Sequence, residues 1–200
     1  MIKTVVFDLG RVLLEFEPLE YLRSRIDDEA LAIRLCKIIF QSEEWLALDR
    51  GTISEADAIE RFVRRNPELE TVIRYAMKDW YELLQPKTDS VAILQELKAK
   101  GCRLLILSNF HQAAREAVCA KHLFFRVFDG GIFSYEVKLL KPETEIYQTL
   151  LQRYQLTAEE TVFIDDTLEN IEASKRLGIK GIHFRSAAEL RLQLQALSLL

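Results

Sequence analysis

The sequence predicts an α/β domain with a doubly wound parallel sheet, broken after its first strand by an all-helical insert. Three observations carry this. Short, near-continuous apolar runs alternate with amphipathic stretches over the second half of the chain. The clearest of those runs end abruptly in polar or acidic residues. The residues from about 18 to 85, by contrast, contain no convincing strand. Continuous apolar strands are what a parallel sheet needs, because helices cover both of its faces. Strands alternating with helices imply crossover connections, and those make the sheet parallel.

Four segments read as buried strands: "TVVFD" (4–8), "RLLILSN" (103–109), "TVFIDD" (161–166) and "KGIHF" (180–184). Helices are expected between the later ones. "TDSVAILQELKAKG" (88–101) opens on a Thr/Asp cap and stops at Gly101. "KPETEIYQTLLQRYQL" (141–156) has Pro142 near its start and Glu143 and Glu145 in its first turn. "TLENIEASKRLG" (167–178) again stops at glycine, and Thr157 with Glu160 reads as a capping box before the strand at 161. In the insert, "LEYLRSRI", "EALAIRLCKIIF", "SEEWLAL", "SEADAIERFVRR" and "ELETVIRYAMKDWYELL" all carry helical patterning. Ser54 and Asp57 are placed as a helix N-cap and its acidic partner three residues on. The short flanks, 9–17 and 85–88, are candidate hinges. The C-terminal "LRLQLQALSLL" is apolar enough to pack on the core or on another subunit.

Composition narrows the function classes. The chain has 200 residues, of which 49% are hydrophobic, enough for one sizeable core or a core with a modest insert. A formal net charge of −4 gives no reason to expect nucleic acid or an anionic membrane as partner. No apolar run approaches the roughly 20 residues that span a bilayer. Lys3 is followed by a short apolar run that reaches Asp8 at once, which reads as no signal peptide, so a cytoplasmic location is expected. Cys36, Cys102 and Cys119 match no zinc spacing and, being three, no disulfide framework; they read as reduced core or near-core thiols. His111, His122 and His183 lie far apart, without partners at ligand spacing.

In a parallel α/β sheet, ligands bind beyond the carboxyl ends of the strands. Asp8 stands at one such end, Ser108 and Asn109 at another, and Asp165 and Asp166 at a third, with Lys138 and Lys141 in the "KLLKP" segment. Carboxylates, a lysine and a hydroxyl at one edge suit a hard divalent cation such as Mg²⁺ and a phosphate. An aspartate there can also act as a covalent nucleophile, with cationic and hydrogen-bonding groups stabilising the transferred phosphoryl.

"FDLGRVL", "LSN", "KP" and "FIDDTLEN", in this order and spacing, together resemble the four motifs of the haloacid dehalogenase superfamily, in its phosphatase branch with a helical cap after the first strand. The resemblance covers the whole chain and implies a Rossmann-type core at 1–17 and 86–200 with a cap at 18–85. It implies an aspartyl-phosphate enzyme that uses Mg²⁺ to hydrolyse a small phosphate ester. Asp8 would be nucleophile and metal ligand, and Gly10 would offer its backbone carbonyl to the metal. Ser108 and the backbone N–H of Asn109 would hold the phosphoryl group. Lys141, at the Lys-Pro match, would neutralise nucleophile and phosphate, leaving Lys138 as a solvated loop lysine. Asp166 would complete the metal site, Asp165 would orient Lys141, and Asn170 matches the polar position closing the fourth motif. In the insert, Arg50 beside Gly51 is the expected polar substrate contact. Trp45, Trp80 and Tyr81 are candidate contacts whose helical spacing equally suits core packing. Glu15 and Glu17 read as loop charges close in sequence to Asp8.

One position departs from the pattern. Phosphatases of this superfamily typically carry a second aspartate two residues after the nucleophile, as general acid and then general base; here Gly10 stands there. A phosphatase without that group would suit a good leaving group such as the anomeric oxygen of a hexose 1-phosphate. The chain looks similar to a "DLG…V" subgroup acting on glucose 1-phosphate. A 2-haloacid dehalogenase needs neither acid nor metal, but the Asp165–Asp166 pair is atypical of one. A non-catalytic binding module of the same fold is the remaining alternative. A mutase fits less well, since it needs the absent aspartate.

Overall fold

The computed structural model describes residues 2–200. The chain opens with β1 (Thr4–Phe7) and then runs through α1 (Pro18–Arg23), α2 (Glu29–Ile39), α3 (Glu43–Arg50), α4 (Glu55–Arg65) and α5 (Glu70–Met77). It continues as α6 (Thr88–Ala99), β2 (Arg103–Ser108), α7 (Gln112–Lys121), β3 (Gly131–Phe133), α8 (Ser134–Val137) and α9 (Thr144–Tyr154). It closes with β4 (Thr161–Asp165), α10 (Leu168–Lys175), β5 (Lys180–His183) and α11 (Ala187–Ala196). The strands form one parallel sheet in the order β3-β2-β1-β4-β5.

The sheet explains its own sequence. Successive side chains of a strand point to opposite faces. Val5 and Phe7 join Leu104, Ile106, Val162 and Ile164 in a layer that also takes in α6 and α11. Val6 joins Leu105, Leu107 and Phe163 on the other face, under Ile146, Tyr147 and Leu150 of α9 and Ile171 of α10. Both faces are covered, so the strands read as unbroken apolar runs rather than alternating ones. The chain builds outward from β1 through β2 to β3, then crosses to β4 and β5 on the other side. That reversal places the ligand-binding crevice beyond the carboxyl ends of β1, β2 and β4.

Helices α1–α5 follow β1 as the patterning predicts, and the Ser54–Asp57 capping box is present at α4. Several finer expectations need correction. β3 is an unpredicted fifth strand: three residues are too short to show an apolar run. It needs a glycine, because a Cβ on Gly131 would sit 2.6 Å from the Ile106 Cβ and 2.7 Å from the Ile106 backbone. Gly131→Ala is therefore expected to lower stability by about 1–3 kcal/mol through overpacking, measurable as a shifted urea midpoint at unchanged slope. At α6, Lys87 holds the cap position without a side-chain bond, because Thr88 and Asp89 already lie inside the helix. Thr157 likewise makes no cap bond; its carbonyl instead accepts from Thr161 Oγ1 at 2.8 Å. The long helical pattern before residue 84 breaks after Met77, where Asp79 takes a left-handed φ of 55°. Cys119 is exposed, unlike the buried Cys36. The C-terminal segment packs on its own core, with Leu190 and Leu194 buried and Arg191 paired to Glu96 of α6 at 2.8 Å. No helix among the described residues is long and apolar enough to cross a membrane.

The two flanks of the helical insert are bound to each other. Glu15 N donates to Gln85 O at 2.7 Å, and Lys87 N donates to Leu13 O at 2.9 Å. The insert touches the sheet domain again where Ser134 Oγ donates to the Asp49 carbonyl and Arg50 forms a two-pronged pair with Glu143. Its hydrophobic interior is continuous with the layer around Phe7 and Ile106.

Candidate active site

The ends of β1, β2 and β4 each deliver a central group. Asp8 follows the last residue of β1 and is 7% exposed. Ser108 ends β2, and its Oγ donates to Asp8 Oδ1 at 2.7 Å. Lys141, in the loop before α9, reaches the same oxygen with Nζ at 2.8 Å and Asp165 Oδ2 at 2.6 Å. Asp8 Oδ2 has no hydrogen-bond partner among the described residues. Asp165 ends β4 and is 0% exposed. Its oxygens also accept from Thr167 N at 2.8 Å and from Asn170 Nδ2 at 3.1 Å. Asn170 is itself held by Tyr147, whose hydroxyl donates to its carbonyl at 3.0 Å. Asp165 is thus consumed by fixing Lys141. Asp166 turns its backbone carbonyl to His183 at 2.9 Å and leaves its carboxylate unpaired among the described residues.

The electrostatics follow from one buried cation among buried anions. Burial alone would lower the Lys141 ammonium, but Asp165 and Asp8 outweigh it and hold the lysine above its ordinary value. Burial pushes Asp8 up to about 6, against the opposing pull of Lys141 and with the added repulsion of Asp165. Burial also raises Asp166, and Asp165 adds to it. Carboxylate oxygens of Asp8, Asp165 and Asp166 lie within 4.8 Å of one another. A cluster of hard, mutually repelling oxygens with two unsatisfied carboxylates fits a small divalent cation such as Mg²⁺.

Asp8, Ser108, Lys141, Asp165, Asp166 and Asn170 therefore converge. Asn109 is present in an unforeseen capacity: its side chain clamps the Lys141 backbone, donating to the carbonyl at 3.0 Å and accepting from the N–H at 2.8 Å. Arg50 is not brought to this centre. Its guanidinium is held by Glu143 and by the Lys138 carbonyl at 3.1 Å, on the seam between insert and sheet domain. Lys138 is exposed, as expected of a loop lysine, and its ammonium also donates to the Gly51 carbonyl. Glu15 pairs with Lys87 at 3.2 Å and Glu17 with Arg11 at 3.4 Å, so neither approaches Asp8 by a bond. Tyr81 and Trp80 both donate to Glu55, at 2.7 Å and 3.0 Å.

Beside this centre lies a small cavity of about 80 Å³, lined by Gly10, Phe16, Trp45, Asp49, Trp80, Leu84, Asn109, Phe110 and His111. Its walls are an aromatic cluster: Trp45 and Trp80 meet edge to face at 4.8 Å, and His111 lies 4.9 Å from each. Two lining residues, Asp49 and His111, were not among the site candidates read from the sequence. His111 is buried with both ring nitrogens unpartnered, and burial drops it to about 3, so it is neutral. Asp49 is 9% exposed and makes no side-chain hydrogen bond or ion pair among the described residues. Burial, with repulsion from Asp8 against attraction from Lys141, pushes it up to about 8. A signal existed: Asp49 stands four residues after Trp45, on the apolar stripe of α3 with Leu48, where a charge is out of place. The other buried acid of that helix, Glu44, has Arg65 at 2.8 Å; Asp49 has no such partner.

Comparison with known proteins places the chain in a family. Residues 2–178 match the hydrolase family described as haloacid dehalogenase-like hydrolase. The chain is 26% identical to the sesquiterpene phosphatase astK of Aspergillus oryzae over 98% of this chain and 96% of that protein. It is 25% identical to a phosphorylated carbohydrates phosphatase of Thermotoga maritima over 90% of this chain and 84% of that one. Among solved structures, a Bacteroides thetaiotaomicron enzyme of the same family, in complex with magnesium and inorganic phosphate, superposes with a TM-score of 0.70 at 24% identity. That match covers 92% of this chain and 95% of the other. The parallel sheet, the acids and lysine at its carboxyl edge, and a family match over most of the length lead to one conclusion: the chain belongs to the haloacid dehalogenase-like hydrolases.

Proposed function

We propose that the protein is a Mg²⁺-dependent phosphatase that hydrolyses a small phosphorylated metabolite through an aspartyl-phosphate on Asp8. The observation that carries this is the buried network in which Ser108 and Lys141 both bind Asp8 Oδ1 while Oδ2 has no partner among the described residues. In this reading Oδ2 attacks phosphorus, and Lys141 neutralises the charge gathering on the carboxylate and the phosphoryl oxygens. Ser108 and the backbone N–H of Asn109 bind the phosphoryl group. Asp165 and Asn170 keep Lys141 in place. Asp8, the Gly10 carbonyl and Asp166 would hold the cation. When bound, Mg²⁺ supplies positive charge beside the transferring phosphoryl group. Residues 18–85 form a cap over a core of 1–17 and 86–200, and the cap walls off the leaving group. The enzyme works on soluble metabolites in the cytoplasm.

Two substrate classes follow from the leaving-group side. A hexose 1-phosphate suits the glycine at position 10, because an anomeric oxygen leaves more easily than an ordinary alkoxide, and a carbohydrate phosphatase is among the relatives. An apolar alcohol, such as a short prenyl chain, is favoured by the aromatic lining of Phe16, Trp45, Trp80 and Phe110 and by the sesquiterpene phosphatase. The dehalogenase reading is not favoured, because a halide displacement leaves Asp166 without a task.

EDTA is expected to abolish turnover of aryl phosphate and Mg²⁺ to restore it. Release of inorganic phosphate should then be followed across hexose 1-phosphates, hexose 6-phosphates and short prenyl phosphates. Silence across the whole panel, or chloride release from 2-chloropropionate in EDTA, overturns the proposal.

A further inference from the structure

We propose that Asp49, carried on the helical insert, is the acid–base residue of the reaction, replacing the side chain that Gly10 lacks. The inference deepens the phosphatase reading and rests on it.

The argument is one of position and partners. The position two residues after the nucleophile is a bare glycine, with no side chain to protonate a departing oxygen. Among the described residues, the cavity that opens at Gly10 has two titratable side chains in its lining, Asp49 and His111. Both are buried more than nine-tenths, and neither has a side-chain partner among the described residues. A buried carboxyl without a partner is unfavourable for folding. On α3 the neighbouring buried acid, Glu44, is neutralised by Arg65. The charges that act on Asp49 are Asp8, which repels it, and Lys141, which attracts it. Lys141 is already shared between Asp8 and Asp165. Arg50, the next residue, is turned away to Glu143, and Lys138 to the Gly51 carbonyl. Asp49 thus carries its proton at neutral pH, supported by the upward shift that burial gives it. His111 is unsuited to the role, since an imidazole kept neutral by burial has no spare proton to release as an acid.

The position of Asp49 is fixed from the sheet domain, as the geometry of proton transfer requires. Ser134 Oγ donates to the Asp49 carbonyl and Phe110 N donates to Ser134 Oγ at 2.9 Å, tying α3 to the loop beyond β2. In the first step Asp8 Oδ2 bonds to phosphorus and the bond from phosphorus to the leaving oxygen breaks. That oxygen takes the Asp49 proton and departs as an alcohol. In the second step the Asp49 carboxylate takes a proton from water as the water oxygen attacks phosphorus. The bond to Asp8 breaks, giving inorganic phosphate and a regenerated pair of carboxyl groups.

The test separates leaving groups. Asp49→Asn and Asp49→Ala are compared with the parent in single-turnover phosphorylation by 2,4-dinitrophenyl phosphate, whose leaving group departs as a stable anion, and by an alkyl phosphate, whose leaving group needs a proton. Phosphorylation from the alkyl ester is expected to fall by about 10²–10⁴-fold, while the dinitrophenolate burst changes by less than about threefold. The intact burst also reports that the variants are folded. Equal losses on both esters, or an alkyl rate within about threefold of the parent, overturn the assignment of Asp49. A parent protein that turns over neither ester overturns the phosphatase reading itself.

Discussion

Replacing Asp8 by asparagine is expected to remove phosphate-ester turnover by more than about 10⁴-fold, the scale seen when a covalent nucleophile is lost from an assembled site. The change is nearly isosteric, and the amide can still accept from Ser108 and Lys141 at Oδ1. The fold should therefore survive, and the loss should fall on kcat rather than KM. Two measurements check it. Steady-state release of inorganic phosphate should vanish, and mass spectrometry of quenched parent enzyme should show a phosphoryl adduct on Asp8 that the variant lacks. A variant retaining even a tenth of parental turnover on an aryl phosphate is incompatible with covalent catalysis at this residue.

The second large effect is on stability. Lys141 is almost fully buried and, among the described residues, is the one cation paired with Asp8 and with Asp165. Lys141→Met keeps the length and removes the charge, leaving the buried Asp8 and Asp165 without their shared cation. Breaking a buried ion pair by deleting one partner costs about 3–5 kcal/mol. For a chain of 200 residues that corresponds to a Tm lower by about 6–20 °C, read calorimetrically in EDTA. Asp165→Asn added to Lys141→Met removes one of the stranded charges and should recover part of the loss, though none of the activity. A single variant whose Tm falls by less than about 3 °C would show that the network contributes little to folding.

The sequence was informative where a residue's task follows from its place along a strand. β1, β2 and β4 are covered on both faces, so each leaves a near-unbroken apolar run, and the polar residue ending it must lie at the carboxyl edge. That rule reached Asp8, Ser108, Asp165 and Asp166; Lys141 and Asn170 came from the resemblance to the family's motifs, and the fold brings all six together. Neither reached Asp49 or His111, because their roles depend on how the insert folds back over the sheet. No local spacing encodes that; only the misplaced acid on the Trp45–Leu48 stripe hinted at it. Arg50 was misdirected for a related reason. Its position beside the turn glycine Gly51 suggested a polar substrate contact, whereas Gly51 packs against Tyr135 and Arg50 serves the seam with Glu143. Short or weakly patterned elements were also missed. β3 has three residues, and α7 buries only Ala114 and Val118, too few to mark a face.

The paired flanks of the insert have a consequence for how such a protein can be rebuilt. Leu13, Glu15, Gln85 and Lys87 are laced together by backbone bonds, so the chain enters and leaves the helical insert through a single doorway. The span that the sheet domain must close is therefore fixed and short, whatever lies beyond it, and the entropy of closing a longer segment grows only slowly with its length. A different helical segment could be grafted at residues 16 and 84, provided that it also fills the seam at Ser134 and Glu143 and the apolar layer beneath it. The graft would change the wall around the departing alcohol and, with it, the proton donor. Selectivity and reactivity would then be inherited as one exchangeable cassette, while the phosphoryl-binding half stays behind.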